Sequence, residues 1–203
     1  ALKGERIGTD IASMMYETSQ ELCSRRYEGG FKEFDEEVRK ALAMELPFTE
    51  EEYAKLDAPV MTERLAESAM NTYARNKQKM AEGAMPYIKE FVEERGATGL
   101  VGLPVTDGRR MFNIRCDIKE AYDNNCAALT KSWEKTVLLS CIDKAWQEQL
   151  REMDELRKSV QNASYEQKDP LVIYKLEAYE LWKKMLWEMN SKSVATLMRG
   201  KLA

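Results

Sequence analysis

Carboxylates, cysteines and serine–lysine pairs are the side chains of this sequence that could do chemistry. Glu148, Glu152 and Glu155 recur at helical steps, which is typical of a solvated charged stripe rather than an acid–base pair. The sequence has no histidine, so it lacks the most common general base, metal ligand and activator of a nucleophile. Serine–lysine or cysteine–lysine chemistry stays open, although no motif favours it.

The spacing of the cysteines and the absence of nucleotide-binding motifs also argue against enzymatic chemistry. Cys23, Cys116, Cys126 and Cys141 are scattered and form no CxxC pair, so we expect reduced thiols in a cytosolic protein and no metal site. Neither GxxxxGK[ST] nor GxGxxG occurs. We therefore expect no cofactor and no enzymatic activity from this chain alone.

Bulk properties narrow the class of protein further. The chain has 203 residues, which is room for one large or two small domains. Its net charge of −4 does not suggest nucleic-acid binding, and no apolar run approaches the roughly 20 residues that cross a bilayer. No signal peptide is expected at the start. Because the sequence opens with ALKGERIG, which is typical of a helix interior, we expect a fragment of a longer protein.

The last third predicts two long antiparallel helices, Ala127–Val160 and Leu171–Met198, joined by a polar turn at Gln161–Pro170. Asp169 is suited to cap the second helix, because Pro170 then takes the first helical position. Each arm would extend roughly 40–50 Å. The alternative is an ordinary helix pair inside a bundle. The apolar stripes that carry this prediction are Leu129, Trp133, Val137, Cys141, Ala145, Leu150, Met153, Leu156 and Val160, widened by Leu138, Ile142 and Trp146, and then Val172, Leu176, Tyr179, Trp182, Leu186, Met189 and Leu197.

The first part predicts shorter helices and one β-hairpin. Four helices are expected at Thr9–Arg26, Phe31–Glu45, Glu50–Leu56 with Thr49 as its cap, and Thr62–Glu94 with Thr62 as its cap. The hairpin is expected within about 100–114, with strands Val101–Val105 and Arg110–Ile114 around the turn Thr106–Arg109, and Asp117 caps the final unit. The predicted class is all-α, with a small β-hairpin insertion and a boundary near Asp117–Asn125.

Aromatic residues of the predicted helix pair have different expected roles. Trp146 and Trp182 lie on the inner stripes and are expected to pack in the core, with Met153, Leu156 and Met189 around them. Trp187 lies about 140° around the helix from Trp182, and it either covers the bundle edge or faces a domain outside this chain.

Tyr165 is the one large aromatic residue of the turn, and nothing local is expected to bury it. A tyrosine there can contact varied partners, or it can fold back on its own loop. Its polar neighbours, which share any contact surface, are Gln161, Asn162, Ser164, Gln167 and Lys168.

Three segments of the last third together resemble the C-terminal helical region of SecA, the ATP-driven motor of bacterial preprotein export. They are Val137–Trp146, the MDELR run at Met153–Arg157, and the YEQKDP run at Tyr165–Pro170, followed by Tyr-Lys-Leu-Glu at 174–177. The similarity covers about Lys131–Gly200. The preceding part resembles the helical wing domain of the same family more weakly.

The resemblance implies a helical wing domain at 1–118 and, at 119–203, the distal helical scaffold domain with its two-helix finger. In the family the finger inserts at the cytoplasmic mouth of the SecYEG channel, and its tip tyrosine, here Tyr165, contacts the unfolded preprotein. The parent would bind ATP and Mg²⁺ in motor domains outside this chain. It would work in the cytoplasm, peripherally at the inner face of the membrane, with a homodimer as an open option.

The sequence departs from the family pattern in three places, and these departures limit which family roles can be assigned to its residues. Ala163 and Ser164 stand where many members have an Arg-Gly pair that precedes the tyrosine, so any role of that arginine in restraining the motor is in doubt. Gln149 stands where many members have histidine, and the β-hairpin near Thr106–Arg109 looks like a lineage-specific insertion. The rival classes are a stand-alone helical adaptor and a histidine-free helical enzyme.

Overall fold

The structure, a computed structural model, describes residues 2–25, 29–162 and 169–203, and at 2–9 and 161–162 it describes the backbone only. These residues form a mostly helical protein with an inserted β-hairpin, which confirms the predicted class. The elements in chain order are α1 (Leu2–Ser24), α2 (Phe31–Leu42), α3 (Glu50–Lys55), α4 (Ala58–Lys89), a π-helix (Glu90–Glu94), β1 (Leu100–Thr106), β2 (Met111–Asp117), α5 (Ile118–Asp123), α6 (Ala127–Asn162), α7 (Pro170–Met198) and β3 (Lys201–Leu202).

Three predicted helix caps are confirmed. Thr49 and Glu52 form a reciprocal capping box at α3, in which each side chain accepts a hydrogen bond from the other residue's backbone N–H. Asp117 accepts from the backbone N–H of Glu120 at 2.9 Å, and Asp169 accepts from that of Leu171 at 2.9 Å. Each carboxylate or hydroxyl satisfies a backbone donor that the first helical turn leaves without a partner.

The predicted cap at Thr62 is wrong, because α4 begins four residues earlier with Asp57 as its N-cap. Pro59 lies in the first turn, where its fixed φ suits a helix and its missing N–H costs nothing. Thr62 is buried inside the helix, and its hydroxyl donates to the carbonyl oxygen of Ala58 at 2.8 Å.

The β-hairpin pairs β1 and β2 antiparallel, from Leu100 opposite Asp117 to Thr106 opposite Met111. A third strand that the sequence analysis did not predict, β3, pairs with the other edge of β1. The sheet order is therefore β2-β1-β3. It joins the end of the chain to the inserted hairpin.

One hydrophobic core runs through the described residues, to which all the long helices contribute. Helix α1 packs against both α4 and α7, and α6 packs against α7 and against β2. Trp133 of α6 is its largest fully buried side chain, and its ring contacts Phe112 of β2 edge-on at 5.1 Å between centroids. The core is continuous across the predicted 118/119 boundary, and the division into two domains there stays a prediction.

The end of α7 depends on a close backbone approach at Gly200. A Cβ at this position would lie 2.6 Å from Nε1 of Trp133, which is nearer than any real Cβ contact. Glycine at this position therefore lets the backbone pass close to the tryptophan as the chain leaves α7 and enters β3.

Candidate functional site: the helical hairpin

The candidate site is the antiparallel hairpin of α6, with 36 residues, and α7, with 29 residues. Two contacts between the helices fix their alignment. The ammonium of Lys184 donates to Oε1 of Glu152 at 2.8 Å, and the rings of Trp146 and Trp182 meet edge-on at 6.5 Å. The hydrogen bond and the charge of Glu152 raise the pKa of Lys184 above its ordinary value.

The buried face of α6 departs from the predicted stripe in its middle. Trp133, Val137 and Cys141 are buried as predicted, but Leu150 and Ile142 are exposed. Gln149, which is 5% exposed, takes the inward position instead, four residues on from the half-buried Ala145. The predicted stripe was wrong there because it was drawn through apolar residue types and therefore included Leu150. A step of four residues from Ala145 along the helix leads to Gln149 instead, which is polar.

The predicted inner stripe of α7 is largely exposed. Leu197 is buried and Met189 is half-buried, but the stripe residues in the distal half of the helix lie on the surface. Together with residues of α6 they form one apolar strip on the hairpin, because no element among the described residues covers this face. We define the exposed strip as Leu139, Ile142, Trp146, Leu150, Leu171, Val172, Leu176, Tyr179, Trp182 and Leu186.

The expectation that Trp146 and Trp182 pack in the core is wrong. They contact each other across the hairpin, yet 50% of Trp146 and 42% of Trp182 is exposed. A pair of helices buries side chains on the seam alone, and these rings lie at its rim. Leu156 is buried, and Met153 and Met189 are half-buried.

Trp187 lies at the edge of the bundle, on a different side from the tryptophan pair. The guanidinium of Arg25, just past the end of α1, lies 5.3 Å from the centre of its ring, within the range of a cation–π contact. Because 42% of Trp187 remains exposed, the ring has surface left for another partner. Its contact with a further domain stays a prediction.

The structure describes the two ends of the turn between the helices. Helix α6 ends at Asn162, and α7 begins at Pro170 with Asp169 as its cap. Tyr165, Ser164, Gln167 and Lys168 lie outside the described residues, as do the side chains of the predicted contact residues Gln161 and Asn162. The role of all six in contacting a preprotein stays a prediction.

A polar bridge that the sequence analysis missed links the β-hairpin to α7. Oδ1 of Asp107 accepts from the backbone N–H groups of Arg109 and Arg110, at 2.9 and 2.7 Å. Its Oδ2 accepts from the guanidinium of Arg110 at 3.0 Å, and the same guanidinium donates to Oγ1 of Thr196 at 3.2 Å. Burial alone would raise the pKa of Asp107, but these donors outweigh it and hold the pKa below its ordinary value.

We expect Asp107→Asn to lower the free energy of unfolding by about 2 kcal/mol at neutral pH, because it removes a charge-assisted network. The native pKa is depressed, so the carboxylate stabilises the fold above its unfolded pKa of about 3.9, and this stability is lost as the pH falls through the native value. Urea unfolding at several pH values measures it. The difference between the two proteins should shrink below about pH 4, and a constant difference would contradict the assignment.

A cleft of about 1100 Å³ separates the turn of the β-hairpin from the base of the α6–α7 pair. Its walls carry charges of both signs, including Arg109, Lys144, Glu148, Lys192 and Arg199. Gln149 also lines it, with its Oε1 buried and without a hydrogen-bond partner. Among the described residues, seven lysine or arginine side chains and four carboxylates line the cleft.

The carboxylates and cysteines that could do chemistry lie in surroundings that do not activate them. Glu148 pairs with Arg151 at 3.3 Å on the surface, and Glu152 pairs with Lys184. Burial raises the pKa of the thiols of Cys116 and Cys126, which disfavours the reactive thiolate. Within 2–25, 29–162 and 169–203, no group of three His, Cys, Asp or Glu side chains could hold a metal ion.

One buried charge, also missed by the sequence analysis, joins α4 to α6. Oε1 of Glu134 accepts from the ammonium of Lys77 at 2.7 Å and from the hydroxyl of Tyr73 at 2.9 Å. Glu134 is 4% exposed, so its charge is almost wholly removed from water. Burial, followed by the negative charge of Glu134 and the hydrogen bond to it, raises the pKa of Tyr73 and keeps the phenol protonated.

The fold and the hairpin define the class of protein: a helical domain built around a long two-helix hairpin that leaves an apolar strip exposed. No helix among the described residues is long and apolar enough to span a membrane. Over residues 1–201 the chain matches the family model described as the SecA Wing and Scaffold domain, and it belongs to that family.

Curated relatives share the whole length of this chain. It is 49% identical to the protein translocase subunit SecA of Parabacteroides distasonis, 45% identical to that of Phocaeicola vulgatus and 38% identical to that of Flavobacterium psychrophilum. Each alignment covers 100% of the chain and 18% of the relative. The chain thus spans about a fifth of the length of the curated relatives it matches.

Proposed function

We propose that this chain is the wing-and-scaffold part of a SecA protein translocase, and that its hairpin α6–α7 couples ATP-driven movements of the rest of that protein to an unfolded preprotein. The observation that carries the proposal is the hairpin itself, within a chain that belongs to the SecA wing and scaffold family. The hairpin would act at the cytoplasmic mouth of the SecYEG channel, in a protein that associates peripherally with the inner face of the membrane.

The length of the hairpin suits mechanical work. At 1.5 Å per residue, α6 is about 54 Å long, and its seam with α7 carries both the Glu152–Lys184 ion pair and the tryptophan pair. Two helices bonded along their seam bend less than one, so a displacement at the base reaches the tip. The base is where the pair is held by α1, α2, α4 and the β-hairpin.

The polar turn with one aromatic residue suits a partner of variable sequence. A tyrosine presents a large amphipathic surface and loses little rotamer freedom on contact, whereas a deep pocket would select one side chain. We propose that Tyr165 contacts the preprotein and that the polar residues at 161, 162, 164, 167 and 168 share this contact surface.

We propose that the exposed strip is the surface to which the remaining parts of the translocase bind. Trp182 and Leu186 lie on it, and monomeric proteins seldom leave so extended a run of large apolar side chains in water. We propose that the motor domains of the parent, which would hold ATP and Mg²⁺, cover part of the strip. Trp187 is the proposed contact outside it.

The test is Tyr165→Ala in the full-length protein. We expect the rate of preprotein translocation to fall by roughly tenfold, as for the loss of about 1.4 kcal/mol of contact energy, while preprotein-stimulated ATP hydrolysis falls much less. The reason is that the substitution removes the contact with the preprotein and leaves the motor domains intact. Translocation into membrane vesicles and phosphate release, measured on the same preparation, give the two rates.

Tyr165→Phe is the matched control, since it keeps the ring and removes the hydroxyl. Tyr165→Phe should keep most of the translocation rate if the aromatic ring makes the contact with the preprotein. Equal and large losses of translocation and ATP hydrolysis in Tyr165→Ala would indicate a structural role instead. Unchanged translocation would favour a helical adaptor, in which the hairpin binds a partner without moving it.

A further inference from the structure

The cleft between the turn of the β-hairpin and the base of the α6–α7 pair has the dimensions of a peptide groove. Its lining runs from Cys141 to Glu152 on α6 and from Lys184 to Arg199 on α7. The longer side spans about 22 Å at 1.5 Å per residue, and an extended polypeptide advances about 3.3 Å per residue. Small-molecule pockets measure about 300–1000 Å³, and this cleft has a volume of about 1100 Å³. It suits a segment of about six or seven residues.

A buried amide without a partner lies in the lining of the cleft. Gln149 is 5% exposed, and its Oε1 is buried with no hydrogen-bond partner. A buried polar atom in this state destabilises the fold, so it points to a partner that arrives from outside. The last torsion of a glutamine side chain has a broad minimum, and the amide can turn either its oxygen or its NH₂ group to the cleft. A peptide backbone offers a partner to both.

The negative charges of the cleft are already neutralised. Three of its four carboxylates form ion pairs of 3.1 Å or less with cations of the same cleft, namely Asp107–Arg110, Glu152–Lys184 and Glu188–Lys192. The fourth, Glu148, pairs at 3.3 Å with Arg151, which is not part of the lining. A ligand that enters the cleft therefore meets few free carboxylates.

Two positive charges of the cleft remain available. Arg109 and Lys144 are exposed, and within the described part of the chain neither side chain has an ion pair. The guanidinium of Arg199 is held by backbone carbonyls, among them that of Ala195 at 2.7 Å. The lining as a whole has an excess of three positive charges, whereas the chain has a net charge of −4. The cleft is thus a basic region of an acidic chain, which favours an anionic partner.

We propose that the cleft binds an acidic segment of another polypeptide in an extended conformation. Carboxylates of the segment would pair with Arg109 and Lys144, and its backbone would hydrogen-bond to the amide of Gln149. Alternate side chains of an extended segment lie about 7 Å apart, so they can reach separate cations without placing a carboxylate on Glu148. A continuous polyanion lacks that spacing. The inference concerns a different surface from the proposed tip contact and does not depend on the proposed translocation activity.

Fluorescence anisotropy of a labelled eight-residue peptide, in which glutamate and serine alternate, tests the proposal with the full-length protein. We expect the peptide to bind, and to bind at least tenfold more tightly than the same peptide with glutamine in place of glutamate. Binding should weaken as the salt concentration rises. The double variant Arg109→Gln/Lys144→Gln should weaken binding by roughly tenfold, because it removes two exposed charge pairs with the peptide.

The double variant Arg115→Gln/Lys131→Gln is the matched control. It removes the same two residue types from the same β-hairpin and the same helix, both exposed and both outside the lining of the cleft. The net charge changes equally, so this variant should bind the peptide as the unsubstituted protein does. Equal weakening in the two double variants would show that the peptide responds to the overall charge, and would overturn the site.

Gln149→Leu tests the contribution of the buried amide. Leucine is similar in size and removes the unpaired oxygen, so the variant should fold, whereas peptide binding should weaken about threefold, as for one lost hydrogen bond. Unchanged binding would remove the amide from the proposed contact. No binding to the unsubstituted protein would overturn the proposal. So would displacement of the peptide by an equal concentration of inorganic phosphate, or tighter binding of single-stranded DNA at the same site, since either would mean a general anion site.

Discussion

Trp133→Ala is expected to lower the free energy of unfolding by about 3–5 kcal/mol, the usual cost of emptying a buried aromatic site. Trp133 is 1% exposed and lies where three parts of the molecule meet. Its ring contacts Phe112 of β2, and a Cβ at Gly200 would lie within 2.8 Å of three of its ring atoms. The cavity left by alanine would be bordered by the sheet, α6 and the end of α7, and these elements cannot all close on it without breaking the pairing of β3 with β1.

Trp146→Ala is the matched control, because it makes the same change on the same helix at a site that is 50% exposed. We expect it to cost about 1 kcal/mol, mainly through the lost edge-on contact with Trp182. Urea unfolding followed by far-UV circular dichroism compares the two. Comparable losses would mean that the hairpin rim is as important for folding as the core, and would contradict the burial difference.

The helices and caps were predictable because their signals are local. Helical periodicity predicted α6 and α7 to within two residues at each end, and Asp169–Pro170 marked the start of α7. Asp117 and Thr49 were recognisable as caps from their own residue types and neighbours. The turn at Asp107–Arg110 was also local, since glycine at 108 supplies the positive φ of 84° that the turn requires.

The features that the sequence did not reveal depend on distant residues. β3 is two residues long, and only the edge of β1, about 100 residues earlier in the chain, makes it a strand. The exposed strip reads as a core stripe in the sequence, because apolar periodicity shows that a face is apolar but not what covers it. Gln149 was overlooked for the converse reason, since its burial depends on the packing of α6 against α7.

The candidate site was predictable in outline only. The hairpin followed from periodicity, whereas the contact role of Tyr165 stays a prediction, because this residue lies outside the described residues. The links that hold the base of the hairpin did not, because Arg110 and Thr196 are 86 residues apart in sequence, and Asn76 and Met198 are 122 apart. Such pairs have no signal in a single sequence.

These links divide the hairpin into a fixed base and a free distal part. At the base, Nδ2 of Asn76 donates to the carbonyl of Met198 at 2.9 Å, and the guanidinium of Arg199 donates to the carbonyls of Arg39 and Lys40. Toward the tip, the contacts recorded among the described residues include the Glu152–Lys184 ion pair and the Trp146–Trp182 ring contact, both between α6 and α7. The proposed coupling role needs this division, since a lever transmits displacement only if its base is held more firmly than its end.

Lys77→Met is expected to lower the free energy of unfolding by about 3 kcal/mol, the low end of the usual cost of removing one partner from a buried ion pair. The loss exceeds that of a surface pair because Glu134 is 4% exposed and, of its two hydrogen-bond partners among the described residues, would retain the hydroxyl of Tyr73 and lose the ammonium of Lys77. Methionine matches the length and apolar stem of lysine, so the packing of α4 against α6 changes little. Urea unfolding at pH 7 measures the effect.

Removing the buried charge of Glu134 should lower the free energy of unfolding less than removing the partly exposed charge of Lys77. In Glu134→Gln the ammonium of Lys77, whose side chain is 35% exposed, can turn to water, and the amide oxygen can still accept from Tyr73, so we expect a loss of about 1 kcal/mol. The double variant Lys77→Met/Glu134→Gln should then be more stable than Lys77→Met, because no charge remains buried. If the two single losses simply added in the double variant, Glu134 and Lys77 would not be energetically coupled, and the ion pair would not hold α4 to α6.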